Sequence, residues 1–100
     1  MIVVNAKIGA SRETITALTP AVAELETKTR AESGCLDYAF SVELNDPEVI
    51  RITEKWEDMA ALQAHMKAPH FAAFMEATAA NAPQSVEMCF YDAAEIPSPL

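Results

Sequence analysis

The sequence predicts an α+β fold of order β-α-β-β-α-β, with an antiparallel sheet carrying both helices on one face. Three observations lead there. Polarity alternates with a period of two in four separate runs, and two stretches between them repeat apolar residues every three or four positions. The second and third alternating runs are divided only by the turn Asn45-Asp46-Pro47, so they form a hairpin, while the other connections cross over through helices.

In chain order, Ile2, Val4, Ala6 and Ile8 share one phase of a strand that Gly9 ends. Ser11 is suited to cap the helix that follows, whose stripe is Ile15, Leu18, Val22 and Leu25. Pro20 interrupts that stripe: either the helix kinks, or Thr19 caps a second segment with Pro20 at its first position. Glu32-Ser33-Gly34 ends the helix, Gly34 being a natural left-handed cap. Leu36, Tyr38, Phe40, Val42 and Leu44 face one way on the second strand, and Val49 to Trp56 form the third. Asp58 starts a short helix with Met59, Leu62 and Met66 on one side. Pro69 restarts a helix with the stripe Phe71, Phe74, Met75 and Thr78, and Pro83 ends it. Val86, Met88 and Phe90 alternate in a last strand. This is the split βαβ, or ferredoxin-like, arrangement. Residues 1–93 form the expected domain and 94–100 a tail without regular structure. The sheet face without helices, with Val3, Ala39, Val49, Cys89 and Tyr91 in the opposite phase, calls for a second copy of the chain to cover it.

One hundred residues leave room for one domain, and the 51% hydrophobic content fits a packed one. Seven basic against fifteen acidic side chains give a net charge of −8, which disfavours nucleic acid and anionic membranes as partners. No apolar run approaches the roughly 18 residues of a membrane span. The first eight residues are too short and polar for a secretory leader, so a cytoplasmic location is expected. Cys35 and Cys89, far apart and outside any CxxC pattern, read as reduced core residues.

Three segments carry more than pattern: Glu32-Ser-Gly-Cys-Leu-Asp-Tyr38, Ile52-Thr-Glu-Lys-Trp-Glu-Asp58 and Leu62-Gln-Ala-His-Met-Lys-Ala-Pro-His-Phe71. In this order and spacing the chain resembles the antibiotic biosynthesis monooxygenase family, in particular its small quinol-monooxygenase-like members. The resemblance implies a homodimer whose sheets pack into a shared α+β barrel, with a pocket between sheet and helices in each subunit. It also implies oxygenation of an anthrone, quinol or similar electron-rich aromatic by dioxygen, without metal, flavin or haem. A deprotonated substrate of that kind can reduce dioxygen itself. The protein then supplies a base, a hydrogen-bond donor for the developing oxyanion and a dry cavity.

Six residues are candidates for those tasks. His65 carries an imidazole, the side chain suited to proton transfer at physiological pH, and matches a family histidine; it reads as the acid/base or as an anchor for its helix. Glu54 shares the phase of Ile50, Ile52 and Trp56, so it is either a base of raised pKa or half of an ion pair across the dimer. Trp56 and Tyr38 wall an aromatic pocket or pack the core. Asn5 resembles an asparagine that binds substrate oxygen in related oxygenases; the alternative is a hydrogen bond across the sheet. His70, just after Pro69, reads first as a structural helix cap and second as a substrate contact. The five-residue spacing of His65 and His70 misses the i, i+4 geometry of a helical metal site, so no metal is expected.

Haem-degrading relatives need an axial histidine where this chain aligns Phe74 or Met75, which disfavours haem chemistry. Isomerases of a phosphorylated autoinducer-type sugar share the Asp46-Pro47-Glu48-Val49 turn and the His65…Pro69-His70 segment, which makes isomerisation the first alternative. A small-ligand-binding dimer without enzymatic activity is the second.

Overall fold

A computed structural model describes residues 1–100. The elements are β1 (Ile2–Gly9), α1 (Arg12–Arg30), β2 (Cys35–Glu43), β3 (Asp46–Trp56), α2 (Met59–Met66), α3 (Pro69–Ala80) and β4 (Ser85–Asp92). The strands form one antiparallel sheet in the order β2-β3-β1-β4, the expected ferredoxin-like topology with the second helical stretch divided in two. Residues 93–100 have no helix or strand. No helix is long and apolar enough to cross a membrane.

Register decides which side chains meet. Val4 stands opposite Glu54 and Phe90, and Ala6 opposite Ile52 and Met88. Even-numbered residues of β1 and β3 therefore share the helix-bearing face. Ile2, Val4, Leu25, Tyr38, Trp56 and Leu62 form the main buried cluster, with Ala6, Ile50 and Ile52 beside it. Each fully buried aliphatic side chain contributes about 1.5–3 kcal/mol, so Val4 and Leu25 anchor sheet and helix to each other.

Helix α1 runs unbroken through Pro20. Thr19 does not cap a second segment: its hydroxyl donates to the Ile15 carbonyl at 2.7 Å. The Thr16 carbonyl, which proline deprives of its usual donor, lies on the exposed side of the helix. Ser11 is the N-cap, its Oγ accepting from Thr14 N–H at 3.1 Å.

Other local expectations need correction. The hairpin turn falls at Leu44-Asn45, with Asp46 and Pro47 already in β3. Leu44 is therefore 95% exposed instead of continuing the apolar row of β2. An irregularity between Cys35 and Asp37 turns Leu36 outward and packs Cys35 against the core. On α2 the buried residues are Leu62 and His65, while Met59 and Met66 are exposed. Cys89 is exposed rather than in the core. The helices lie over β1, β2 and β3 and leave β4 uncovered, so Val86, Met88 and Phe90 are about half exposed, at 54%, 47% and 53%.

Candidate active site

The short helix α2 brings a histidine into the core. Asp58 caps it, Oδ1 accepting from Ala61 N–H at 2.9 Å, and Leu62 and His65 then fall on the side that faces the sheet. Gly34 fixes the preceding loop. It adopts φ +84°, the left-handed conformation that glycine tolerates, and its carbonyl accepts from Glu57 N–H at 2.9 Å. An added Cβ at Gly34 would lie 2.6 Å from the Ala61 Cβ, so a side chain there would push α2 away.

That loop also holds Glu32, and Glu32 organises the site. Its Oε2 lies 2.7 Å from Nδ1 of His65 and 2.8 Å from Nε2 of His70. An ionised carboxylate only accepts, so both facing ring nitrogens carry protons. His65 is then the Nδ1–H tautomer, and its Nε2 keeps a free lone pair. That Nε2 is buried and has no hydrogen-bond partner. Its ring is packed by Trp56, Tyr38 and Phe71, with centroids 4.8, 5.2 and 5.2 Å away. His70 makes no helix cap: the N-cap of α3 is Ala68, without a side-chain hydrogen bond, and the imidazole goes to Glu32 instead.

Glu54 is buried on β3, its Oε1 accepting from Trp56 Nε1–H at 3.0 Å. Burial pushes its carboxyl above the ordinary range; the Trp56 hydrogen bond and, whenever His65 is protonated, its positive charge pull the other way, and Glu32 adds to the rise. Burial also pushes the Tyr38 phenol well above its usual value, with the nearby Glu54 and Glu32 carboxylates contributing. Tyr38 is therefore held as the neutral phenol and not as a phenolate. The Arg30 guanidinium donates to the Tyr38 carbonyl at 2.9 Å, which pins this strand to α1.

Five of the six sequence candidates thus meet in one cluster: Tyr38, Glu54, Trp56, His65 and His70. Asn5 does not join them. It pairs in register with Thr53 and Cys89, on the opposite sheet face from Glu54, and lines a shallow cavity of about 310 Å³ with Lys7, Arg51 and Tyr91. A second cavity of about 260 Å³ runs between α1 and the sheet, bordered by Ile15, Leu18, Val22, Phe40 and Ile50. Tyr38 connects it to the cluster, its ring packing on both Phe40 (5.9 Å) and His65.

Glu32 is the residue that sequence reasoning missed as a functional group. The available signal was electrostatic. A carboxylate just beyond the C-terminus of α1 opposes the helix dipole, and such a residue needs a local donor.

Comparisons with known proteins agree with this architecture. The family model described as antibiotic biosynthesis monooxygenase matches residues 1–77. A Deinococcus radiodurans structure, named provisionally as an antibiotic biosynthesis monooxygenase, superposes with a TM-score of 0.90 at 26% identity, covering 100% of this chain and 99% of that one. Another antibiotic biosynthesis monooxygenase structure gives 0.84 at 33% identity, over 95% and 100% of the two chains. Pseudomonas aeruginosa PA3566 gives 0.82 at 29% identity, over 94% of each. The uncharacterized Synechocystis protein sll1783 is 30% identical over 67 residues, which are 67% of this chain and 46% of that protein. The chain spans about half the length of this curated relative.

Proposed function

Because the chain belongs to the antibiotic biosynthesis monooxygenase family, we propose that it is a cofactor-independent monooxygenase that oxidises a small quinol, anthrone or similar electron-rich aromatic with dioxygen. The observation that carries this reading is the pairing of buried His65 with Glu32, whose hydrogen bond leaves Nε2 of His65 unpartnered against the rings of Trp56 and Tyr38.

The chemistry asks for a base in a dry aromatic site. Nε2 of His65 takes the acidic proton of the substrate, and Glu32 stabilises the resulting imidazolium through Nδ1–H. The electron-rich anion then reduces dioxygen. For an anthrone methylene, one oxygen atom ends in the new carbonyl and the other leaves as water, so no further reductant is needed. Tyr38, held protonated by its burial, donates to the developing oxyanion. Substrate enters the groove between α1 and the sheet and reaches His65 when the Tyr38 ring rotates off Phe40. Glu54, tied to Trp56, fixes the indole that walls the site.

The active form in this proposal is a homodimer. The uncovered strand β4 supports it, with Val86, Met88 and Phe90 exposed on one side and Cys89 and Tyr91 on the other. Oxygen uptake with a panel of quinols and anthrones tests the activity; its absence would favour the ligand-binding reading.

A further inference from the structure

The two histidines and one carboxylate at the centre of the site also form a ligand set. Glu32 comes from the loop after α1, His65 from α2 and His70 from α3, and one donor atom of each lies within 4.8 Å of the others. We propose that Glu32, His65 and His70 bind a transition-metal dication such as Zn²⁺ or Cu²⁺, and that the bound metal silences His65 as a base. The second half rests on the function proposed above; the first does not.

The donor set selects the metal. Two imidazole nitrogens and one carboxylate oxygen suit Zn²⁺, Cu²⁺ or Ni²⁺, whereas Mg²⁺ and Ca²⁺ require oxygen-rich sites. Three protein ligands with a remaining position for water is a common stoichiometry for a four-coordinate ion. Two of the three ligand-atom spacings are close to what binding requires. Oε2 of Glu32 already lies 2.7 and 2.8 Å from the two nitrogens. Metal–ligand bonds of about 2.0–2.2 Å place neighbouring tetrahedral ligand atoms roughly 3.3 Å apart. Oε2 of Glu32 therefore retreats by about half an ångström, while the two ring nitrogens, up to 4.8 Å apart, close to that spacing by rotation of the more exposed His70 side chain.

Proton accounting permits the exchange. Each neutral imidazole keeps its single proton and moves it to the other ring nitrogen. For His65 that nitrogen is Nε2, which has no hydrogen bond to lose. The metal then occupies Nδ1 and the proton occupies Nε2, so no lone pair is left to accept a proton from substrate.

Access is from the His70 side. The side chains of Glu32 and His70 are 17% and 14% exposed, against 2% for His65. His70 also borders a cavity of about 70 Å³ with Glu24 and Leu25, large enough for the ion's remaining waters. The net charge of −8 raises the local cation concentration.

The chain has only two histidines, which makes the test unambiguous. Untagged, metal-stripped protein is titrated with Cu²⁺ and read by pulsed electron paramagnetic resonance; Zn²⁺ binding is followed by calorimetry and thermal melting. The expected result is one ion per chain, a two-imidazole signature and a raised Tm. His70→Ala and the near-isosteric Glu32→Gln should each weaken Zn²⁺ binding at least tenfold. Saturating Zn²⁺ should abolish the oxygen uptake of the metal-free protein. A Kd weaker than about 1 mM, fewer than two imidazoles per Cu²⁺, or affinity unchanged in both variants would overturn the metal site and leave a hydrogen-bonded hub only. Site-specific binding that leaves oxygen uptake intact would overturn the silencing. If no oxygen uptake exists to inhibit, the activity reading fails while the binding and melting measurements still decide the site.

Discussion

Glu32 and His65, 33 positions apart in the chain, meet at 2.7 Å beside a buried tryptophan, and this contact joins the end of α1 to α2. One carboxylate oxygen satisfies His65 and His70 together, so its removal orphans two donors. Glu32→Ala is expected to cost about 1–3 kcal/mol for the unsatisfied His65 donor alone. Glu32→Gln, which keeps one acceptor, should cost less. Urea unfolding of the metal-free proteins measures both; equal stability of Glu32→Ala and wild type would contradict the role of Glu32.

Glu54 makes stability depend on pH. Burial holds its folded-state pKa above the ordinary 4.5, so between that value and its raised one the folded protein binds more protons than the unfolded chain. Stability from this group is fully present below pH 4.5 and is lost as pH rises through the folded pKa. Glu54→Gln removes that loss, and its amide oxygen can still accept from Trp56 Nε1–H. The variant should melt at or above the wild-type temperature at neutral pH, with a flatter stability–pH curve. A variant that is less stable at neutral pH and keeps the wild-type slope would show that Glu54 is favourably ionised.

Thr29 offers the opposite case, a buried hydroxyl that gains nothing. It is fully buried at the end of α1, and Oγ1 has no partner. Thr29→Val is close in shape and helix propensity and removes the unmet polar atom, so it should raise stability by about 1 kcal/mol. Chemical denaturation reads the change, and a loss of stability would reveal a hydrogen bond at Oγ1.

Exposed apolar groups on β4 predict self-association. Sedimentation at micromolar concentration should show a dimer, and Met88→Asp with Phe90→Asp should shift it to monomer, since like charges on an apolar contact are not tolerated. A wild-type monomer would remove the homodimer from the proposal.

What the sequence disclosed follows from the range of each interaction. Strands and helices were legible because alternation and three-to-four spacing are local; Ser11 and Asp58 marked their helices by capping alone. Leu36 and Leu44 were misplaced because an irregularity in register and a shifted turn leave no trace in polarity. The burial of Glu54 and Trp56 on one face could be read from phase. That Asn5 lies on the other face required the Val4–Glu54 register, a tertiary fact. The i, i+4 spacing rule concerns a single helix, whereas His65 and His70 sit on separate helices around a distant carboxylate. Glu32 itself was in plain view as a helix end, and only the fold gives it its partners.

The most direct test of the account is oxygen uptake by metal-stripped protein with quinols and anthrones, compared between wild type and a folded His65→Asn variant. Uptake should exceed autoxidation and fall about a hundredfold or more when the imidazole is removed. Wild-type uptake at the autoxidation rate, or full turnover without His65, would contradict it.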